Sequence, residues 1–431
     1  MKKFIQLGCL VLLGSISVNN LQAQTKKTAT AKPRILISTD IGGTDDDDFQ
    51  SMIHFLMFSD KFDTEGLVSS PSFGDGKKQD ILDMIDLYEK DLPKLKLHTA
   101  NLASPAALRA VTKQGVHGQA TFKGYGTATE GSNWIVKCAN KKADRPLWVL
   151  VWGGLEDVAQ ALHDAPQIKN RIKVYWIGGP NKKWGINAYT YIAKNFPDLW
   201  MIENNSSYQG LFLHGKTFED LEFNDYYDKH IQALGHMGKQ FKSYYGGSVK
   251  MGDTPSLLYL MNGTPENPAA ENWGGSFVKI NRSARRVFER NTTVKDTVSV
   301  YSDVELYFKG PVIQCPPDSS CFSMEVLGQT WAGYYFGNGR YGIRYSPKKS
   351  GTVPYVTKSN IKGLEVQKGE FVVNNKWPGK ASTDDYKLGT NWYSDRPDAD
   401  LFYADQQGGK TVSKWRQVFL DDWANRWQWL K

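Results

Sequence analysis

From Pro33 onward, short apolar runs alternate with segments whose apolar residues recur at helical spacing. The runs Arg34–Thr39, Glu65–Ser70, Pro146–Gly153, Arg171–Gly179 and Leu199–Asn204 are almost continuous in apolar residues. Leu147-Trp148-Val149-Leu150-Val151-Trp152, for example, leaves no position for solvent. Runs of this kind suit parallel strands covered on both faces. Between them, Phe49, Met52, Ile53 and Leu56 mark one helix face, and Leu155, Val158, Ala159 and Leu162 another. The alternation predicts a doubly wound, mostly parallel α/β fold.

Near residue 283 the pattern shortens. Val298–Val300, Val304–Phe308, Met324–Leu327, Tyr334–Phe336, Gly342–Tyr345, Val353–Thr357 and Glu370–Val373 are brief and rich in β-branched and aromatic residues. Turn residues such as Gly337-Asn338-Gly339 separate them. This predicts a small antiparallel, sandwich-like β domain over residues 283–375. From Lys414 to Leu430 the helical period returns, with Trp415, Phe419, Trp423 and Trp427 four residues apart. A helix after the β segment implies insertion: residues 33–282 and 376–431 would form the α/β domain, interrupted by the β domain.

Composition narrows the class. The chain has 431 residues with a formal net charge of +8, and no Lys/Arg block long enough for nucleic-acid binding. No apolar run of membrane-spanning length occurs, and four cysteines are too few for a disulfide scaffold. Aromatic residues make up 13% and include 14 Trp, read first as core material. Sugar stacking by Trp184, Trp273 or Trp331 is the weaker reading. The seven histidines show no zinc-ligand spacing.

The N-terminus reads as an export signal. Lys2 and Lys3 precede a mostly apolar stretch from Phe4 to Val18, and Leu21-Gln22-Ala23 offers a small residue for cleavage after Ala23. Residues 24–32 read as a flexible leader. The expected location is periplasmic or secreted. In an oxidising compartment the short loop Cys315-Pro-Pro-Asp-Ser-Ser-Cys321 makes a local disulfide plausible, with Cys138 left as a small buried apolar residue.

The stretch richest in chemistry is Ile35-Leu36-Ile37-Ser38-Thr39-Asp40-Ile41-Gly42-Gly43-Thr44-Asp45-Asp46-Asp47-Asp48. A strand ends at Asp40, glycines turn the chain, and adjacent carboxylates open a helix. In open α/β sheets ligands bind beyond the carboxyl ends of the strands. Converged carboxylates repel one another, so a hard cation such as Ca²⁺ or Mg²⁺ is the natural occupant. Asp45–Asp48 also suit helix capping, but capping leaves Asp40 unexplained.

Asp40-x-Gly followed by Asp47-Asp48 and a helix, then Glu65-Gly66-Leu67-Val68-Ser69-Ser70, resembles the opening of calcium-dependent nucleoside hydrolases. A closer resemblance is to an exported bacterial family of cellulose-binding proteins with a nucleoside-hydrolase-like domain. It is carried by Thr39-Asp40-Ile41-Gly42-Gly43, Ser51, Glu130-Gly131-Ser132, Gly252-Asp253-Thr254-Pro255-Ser256, Trp273-Gly274-Gly275 and the terminal Trp415-Arg416 and Asp422-Trp423-Ala424. The likeness spans most of residues 33–281 and about 410–431, and not the β insert.

By this resemblance Asp40 both ligates calcium and deprotonates the attacking water, and Asp48 is a bidentate ligand. Asp253 closes the coordination shell, and Glu156 falls where the hydrolases offer a backbone carbonyl to the metal. Asp47 matches a residue bonded to sugar hydroxyls, and Asn187 a sugar-contacting Asn. His117 loosely matches a mobile His-Gly loop, though an ordinary loop histidine is the simpler reading. Ser38 stands where the hydrolases have an Asp, extra residues separate Gly42 from Asp47, and Gly252 stands where they often place a leaving-group His. The resemblance implies an exported Ca²⁺-dependent glycosyl hydrolase acting on a sugar or glycan, with self-association left open. The alternative is a carbohydrate-binding protein on the same fold without catalysis.

Overall fold

In the computed structural model, residues 31–214, 225–316 and 318–431 are described. The expected signal peptide at 1–23, and nearly all of the leader at 24–32, lie outside the described residues. The continuous apolar runs form the strands β1 (Arg34–Thr39), β2 (Asp63–Ser69), β3 (Thr112–Gln114), β4 (Leu147–Val151), β5 (Ile172–Ile177) and β6 (Met201–Asn204), followed by β7 (Phe277–Lys279). A β-rich excursion then supplies β8 (Arg282–Ser283), β9 (Arg285–Phe288), β10 (Thr297–Ser299), β11 (Asp303–Lys309), β12 (Ser320–Val326), β13 (Gln329–Tyr335), β14 (Arg340–Tyr345), β15 (Gly351–Lys358), β16 (Lys368–Asn374) and β17 (Tyr386–Lys387). The chain returns to the first sheet with β18 (Trp392–Asp395) before its last helices.

The first sheet has the order β3-β2-β1-β4-β5-β6-β18-β7, parallel throughout except for the β18–β7 edge pair. The order runs outward in both directions from the β1–β4 pair, so the carboxyl ends of these strands frame a crevice. Ile35 and Ile37 enter one core with Trp148 and Leu150, while Leu36 enters the other with Leu147 and Val149. Alternate side chains thus reach opposite buried faces, which is why no polar alternation marks these strands in the sequence.

While β8 and β17 pair separately as a two-stranded antiparallel ribbon, eight strands of the excursion form one sheet, β10-β16-β15-β12-β13-β14-β11-β9, wrapped most of the way round its own core. Five of its adjacent pairings are antiparallel, and the two outermost, β10–β16 and β9–β11, are parallel. Trp184, from the helix Pro180–Trp184 of the α/β part, packs against this second core.

A buried charge cluster ties the second sheet to the helix Ile186–Asn195 and the Phe122 loop of the α/β part. Arg344 on β14 donates to Glu305 Oε1 (2.9 Å), to the Phe122 carbonyl (2.6 Å) and to Asn187 Oδ1 (3.3 Å). Arg285 pairs with Glu305 at 2.6 Å, and Thr190 and Tyr386 donate to Asp303 at 2.9 and 2.7 Å. Asp303 and Glu305 are fully buried, so the cations and hydroxyls around them are what make their burial tolerable.

Cys315 and Cys321 are free thiols, so the disulfide expected between them is not formed. Cys315 Sγ instead faces the Ser319 carbonyl at 4.0 Å. Cys138 is buried, as expected of a small apolar residue.

Candidate metal and substrate cleft

Asp40 follows the last residue of β1, where the chain turns sharply. The Gly43 amide donates to the Asp40 carbonyl at 2.8 Å, and Gly42 adopts φ +79°, the left-handed region open to glycine. Thr39 fixes the geometry from below: its hydroxyl donates to Asp48 Oδ1 and accepts the Ile41 amide at 3.0 Å. The helix Asp47–Met57 therefore starts with two buried carboxylates directly beyond the strand end.

The fourth predicted aspartate arrives from a distant segment strapped to that helix by Gln50. Gln50 Oε1 accepts the amides of Lys250 (2.8 Å) and Met251 (3.1 Å), and its Nε2 donates to the Ser248 carbonyl at 2.9 Å. The Asp253 amide donates to Ser51 Oγ at 3.3 Å. Asp253 is thereby held with Asp40, Asp47 and Asp48 in one cleft of about 240 Å³, which Asp45 also lines. Carboxylate oxygens of Asp45, Asp47 and Asp48 lie within 4.8 Å of one another.

Such crowding has an electrostatic cost. Burial, with Asp45 and Asp47 adding repulsion, pushes the Asp40 carboxyl up to about 8. Burial and neighbouring aspartates also drive Asp47, Asp48 and Asp253 well above the carboxylate range. Asp45 behaves oppositely. Burial works against its charge, but a hydrogen bond from Asp47 and the Lys250 ammonium hold it below the usual range. Lys250 reaches Asp45 Oδ2 at 2.7 Å and Asp47 Oδ1 at 3.4 Å. One ammonium does not balance the cluster, and Asp253 Oδ2 is buried with no hydrogen-bond partner among the described residues. An all-oxygen donor set with a surplus of negative charge and an unpartnered carboxylate oxygen fits a hard divalent cation.

Asp40, Asp47, Asp48 and Asp253 are thus brought together. The side chains of Glu156 and Asn187 do not line this cleft. The Glu156 carboxylate accepts from Ser72 Oγ at 2.6 Å and is raised to about 7 by burial, and its side chain does not line the cleft. The Asn187 side chain is committed elsewhere: it donates to the Ala120 carbonyl at 2.9 Å and accepts from Arg344. As placed, Asn187 does not line the cleft, whereas Asn181, six residues earlier, does, with its amide donating to the Trp152 and Ile177 carbonyls at 2.9 and 3.0 Å. His117 is exposed and does not line it either.

Reading the sequence missed Lys250, Asn181, Tyr208 and Lys348, all lining residues. Lys250 sits three residues before Asp253, a proximity that offered a signal. Lys348 lies in the β14–β15 loop of the second sheet, and only the tertiary arrangement brings it here. Of the three tryptophans weighed for stacking, Trp331 is only 2% exposed, a core residue.

Two glycines are required by close approach. A Cβ on Gly153 would stand 2.6 Å from Asp40 Cγ, and one on Gly252 would stand 2.2 Å from Asp47 Oδ2. A histidine at position 252 is therefore incompatible with Asp47 as placed. Gly252→Ala should displace Asp47 and destabilise the protein by about 1–3 kcal/mol, the usual cost of overpacking a tight interior. Thermal unfolding measures it; an unchanged Tm would show that Asp47 has room to move.

The family described as "Cellulose-binding Sde182, nucleoside hydrolase-like domain" matches residues 34–277, and a domain of unknown function (DUF5060) matches residues 297–360. No curated protein sequence matches the chain. Among solved structures, a nucleoside hydrolase-related hypothetical protein from Saccharophagus degradans, associated with carbohydrate metabolism, is 18% identical. It covers 80% of this chain and 100% of its own, with a TM-score of 0.48. The inosine-uridine preferring nucleoside hydrolase from Bacillus anthracis is 11% identical over 89% of this chain and 100% of its own, with a TM-score of 0.38. With more than half of its length matched, aspartate cluster included, this chain belongs to the family described as cellulose-binding Sde182, nucleoside hydrolase-like domain.

Proposed function

We propose that the protein is an exported, calcium-dependent glycosyl hydrolase that cleaves a glycosidic or N-glycosidic bond of a sugar or glycan. The observation that carries this reading is the convergence of Asp40, Asp48 and Asp253, the last with its unpartnered buried oxygen, at the carboxyl end of β1. These three residues would hold Ca²⁺, which supplies Lewis-acid charge at the cleft floor when bound. Asp40 takes the proton of the attacking water as the bond at the anomeric carbon breaks with oxocarbenium character. Asp47, held by the Gly252 amide at 3.2 Å and by Lys250, presents its carboxylate to a ring hydroxyl. Export rests on Lys2, Lys3, the apolar stretch to Val18 and Ala23.

The second reading, a carbohydrate-binding protein without catalysis, is favoured by one specific observation. Gly252 leaves no side chain at the place where the hydrolases often carry a leaving-group acid, and Asp47 fills the space beside it. The family's own description, cellulose-binding, agrees with this reading too.

Calcium at a hundredfold excess over its Kd should raise unfolding stability by about 2.7 kcal/mol, read as an increase in Tm. Magnesium should do less, because it demands a tighter octahedral shell. No calcium-dependent shift would remove the metal from the mechanism. Release of reducing sugar or free base by the calcium-loaded full chain supports hydrolysis; glycan binding with no product released supports the second reading.

A further inference from the structure

The cleft is not built by the α/β part alone. Lys348, from the β14–β15 loop, lines it, and its ammonium makes no hydrogen bond or ion pair among the described residues. Its charged surroundings divide. Asp45 attracts it, whereas Lys349 and Lys250 repel it, and Lys183 lies near enough to be repelled by it in turn. Lys250 already answers the aspartates, through Asp45 and Asp47. Lys183 is buried, but its ammonium donates to a neutral group, Gln329 Oε1 on β13. Where the helix Pro180–Trp184 meets the second sheet, positive charge is therefore left without a counter-ion, beside a cleft otherwise crowded with carboxylates.

An aromatic surface adjoins this rim. Phe73 is 42% exposed and stacks on Trp184 with ring centroids 4.0 Å apart and planes 13° from parallel. Trp184 stacks in turn on Trp331 at 5.1 Å, with the Lys183 ammonium 4.7 Å from the Trp184 ring. Position is set by the turn after β1: a Cβ on Gly43 would lie 3.3 Å from the Phe73 carbonyl, and the next residue, Thr44, lines the cleft. At its other end the same helix contributes Pro180 and Asn181 to the lining. An exposed flat ring on the same side of the cleft as the unpaired Lys348 ammonium suits a sugar ring carrying an anionic substituent.

We infer that this end of the cleft is a subsite for an anionic sugar unit, a uronate or a sulfated sugar, whose acidic group pairs with Lys348 while its ring lies against the Phe73–Trp184 stack. This rests on the carbohydrate reading above and adds to it the charge of the substrate. It also gives the second sheet a share in choosing that substrate, through a single loop.

The test is isothermal titration of the calcium-loaded full chain with trigalacturonate, a sulfated galactan oligosaccharide and cellotriose, each at low and high NaCl. At low salt, at least one anionic probe should bind roughly tenfold tighter than cellotriose, and the advantage should shrink at high salt. The carboxylate and sulfate arms distinguish which acid is taken. Lys348→Ala should bring the anionic-to-neutral affinity ratio close to one, and Lys348→Glu should push it below one. Lys348 is exposed in a loop, so both variants should keep the parent Tm, which is measured alongside. A parent ratio near one, or a ratio that Lys348→Ala leaves unchanged, overturns the subsite while the carbohydrate reading stands. If none of the three probes binds, the carbohydrate reading falls and the subsite with it.

Discussion

Asp40→Asn should lower turnover of a true substrate by at least about a hundredfold and leave the fold intact. The asparagine amide matches the carboxyl in shape, so the turn at Gly42-Gly43 and the contact with Gly153 persist. On the proposed function, what disappears is the proton acceptor and one of the carboxylate charges that would face the cation. Because burial and the neighbouring aspartates oppose ionisation at this position, the metal-free variant should be no less stable than the parent. Calcium should then stabilise the variant less than it stabilises the parent. The two readouts separate the roles: turnover reports the base, and the calcium-dependent Tm reports the ligand. Full turnover in the variant would remove Asp40 from catalysis, and an undiminished calcium shift would remove it from the coordination shell.

The second large effect is structural. Arg344→Ala should destabilise the protein by about 3–5 kcal/mol, the range for stripping a buried ion pair of one partner. Asp303 and Glu305 would remain buried with Arg285 as the remaining cation against Glu305, and the Phe122 carbonyl would lose its donor. Arg344→Lys should recover only part of the loss, because an ammonium cannot reach Glu305, Phe122 and Asn187 together. The pH dependence has a definite sign. Burial opposes charge on Glu305, but Arg344 and Arg285 hold its carboxyl below the usual 4.5. A depressed folded-state value contributes stability above the unfolded pKa and loses it as the pH falls. Removing Arg344 should therefore flatten the contribution of Glu305 to acid unfolding. A Tm within a degree or two of the parent would show that water reaches the cluster and replaces the guanidinium.

Much of the first sheet was legible because its strands are buried on both faces. Arg34–Thr39 appears with the expected bounds, and Leu147–Val151 lies within its expected run. The short strands Thr112–Gln114 and Phe277–Lys279 were not legible, since three residues carry no period and only their neighbours in the sheet define them. Trp392–Asp395 was missed for the same reason: Trp392-Tyr393-Ser394-Asp395 is too short and too polar to stand out from the loops around it. In the cleft, the aspartates stood out because adjacent carboxylates after a strand are unusual. Asn187 lies in the first turn of the helix Ile186–Asn195, and its bond to Ala120 depends on a loop that no local pattern places. Lys348 had no local signal at all, since its role depends on where the second sheet lies.

The position of Trp392–Asp395 bears on how the chain is made. This strand pairs in parallel with Met201–Asn204 on one side and antiparallel with Phe277–Lys279 on the other, and the whole second sheet is synthesised between them. Until residue 395 has left the ribosome, Met201–Asn204 is an unpaired edge, and Phe277–Lys279 has no sheet to join. Such an edge invites pairing with other chains. A fragment ending near residue 277, the natural cut suggested by the family match, would leave that edge open permanently. It should come out of expression largely insoluble, whereas the continuous chain closes its own sheet.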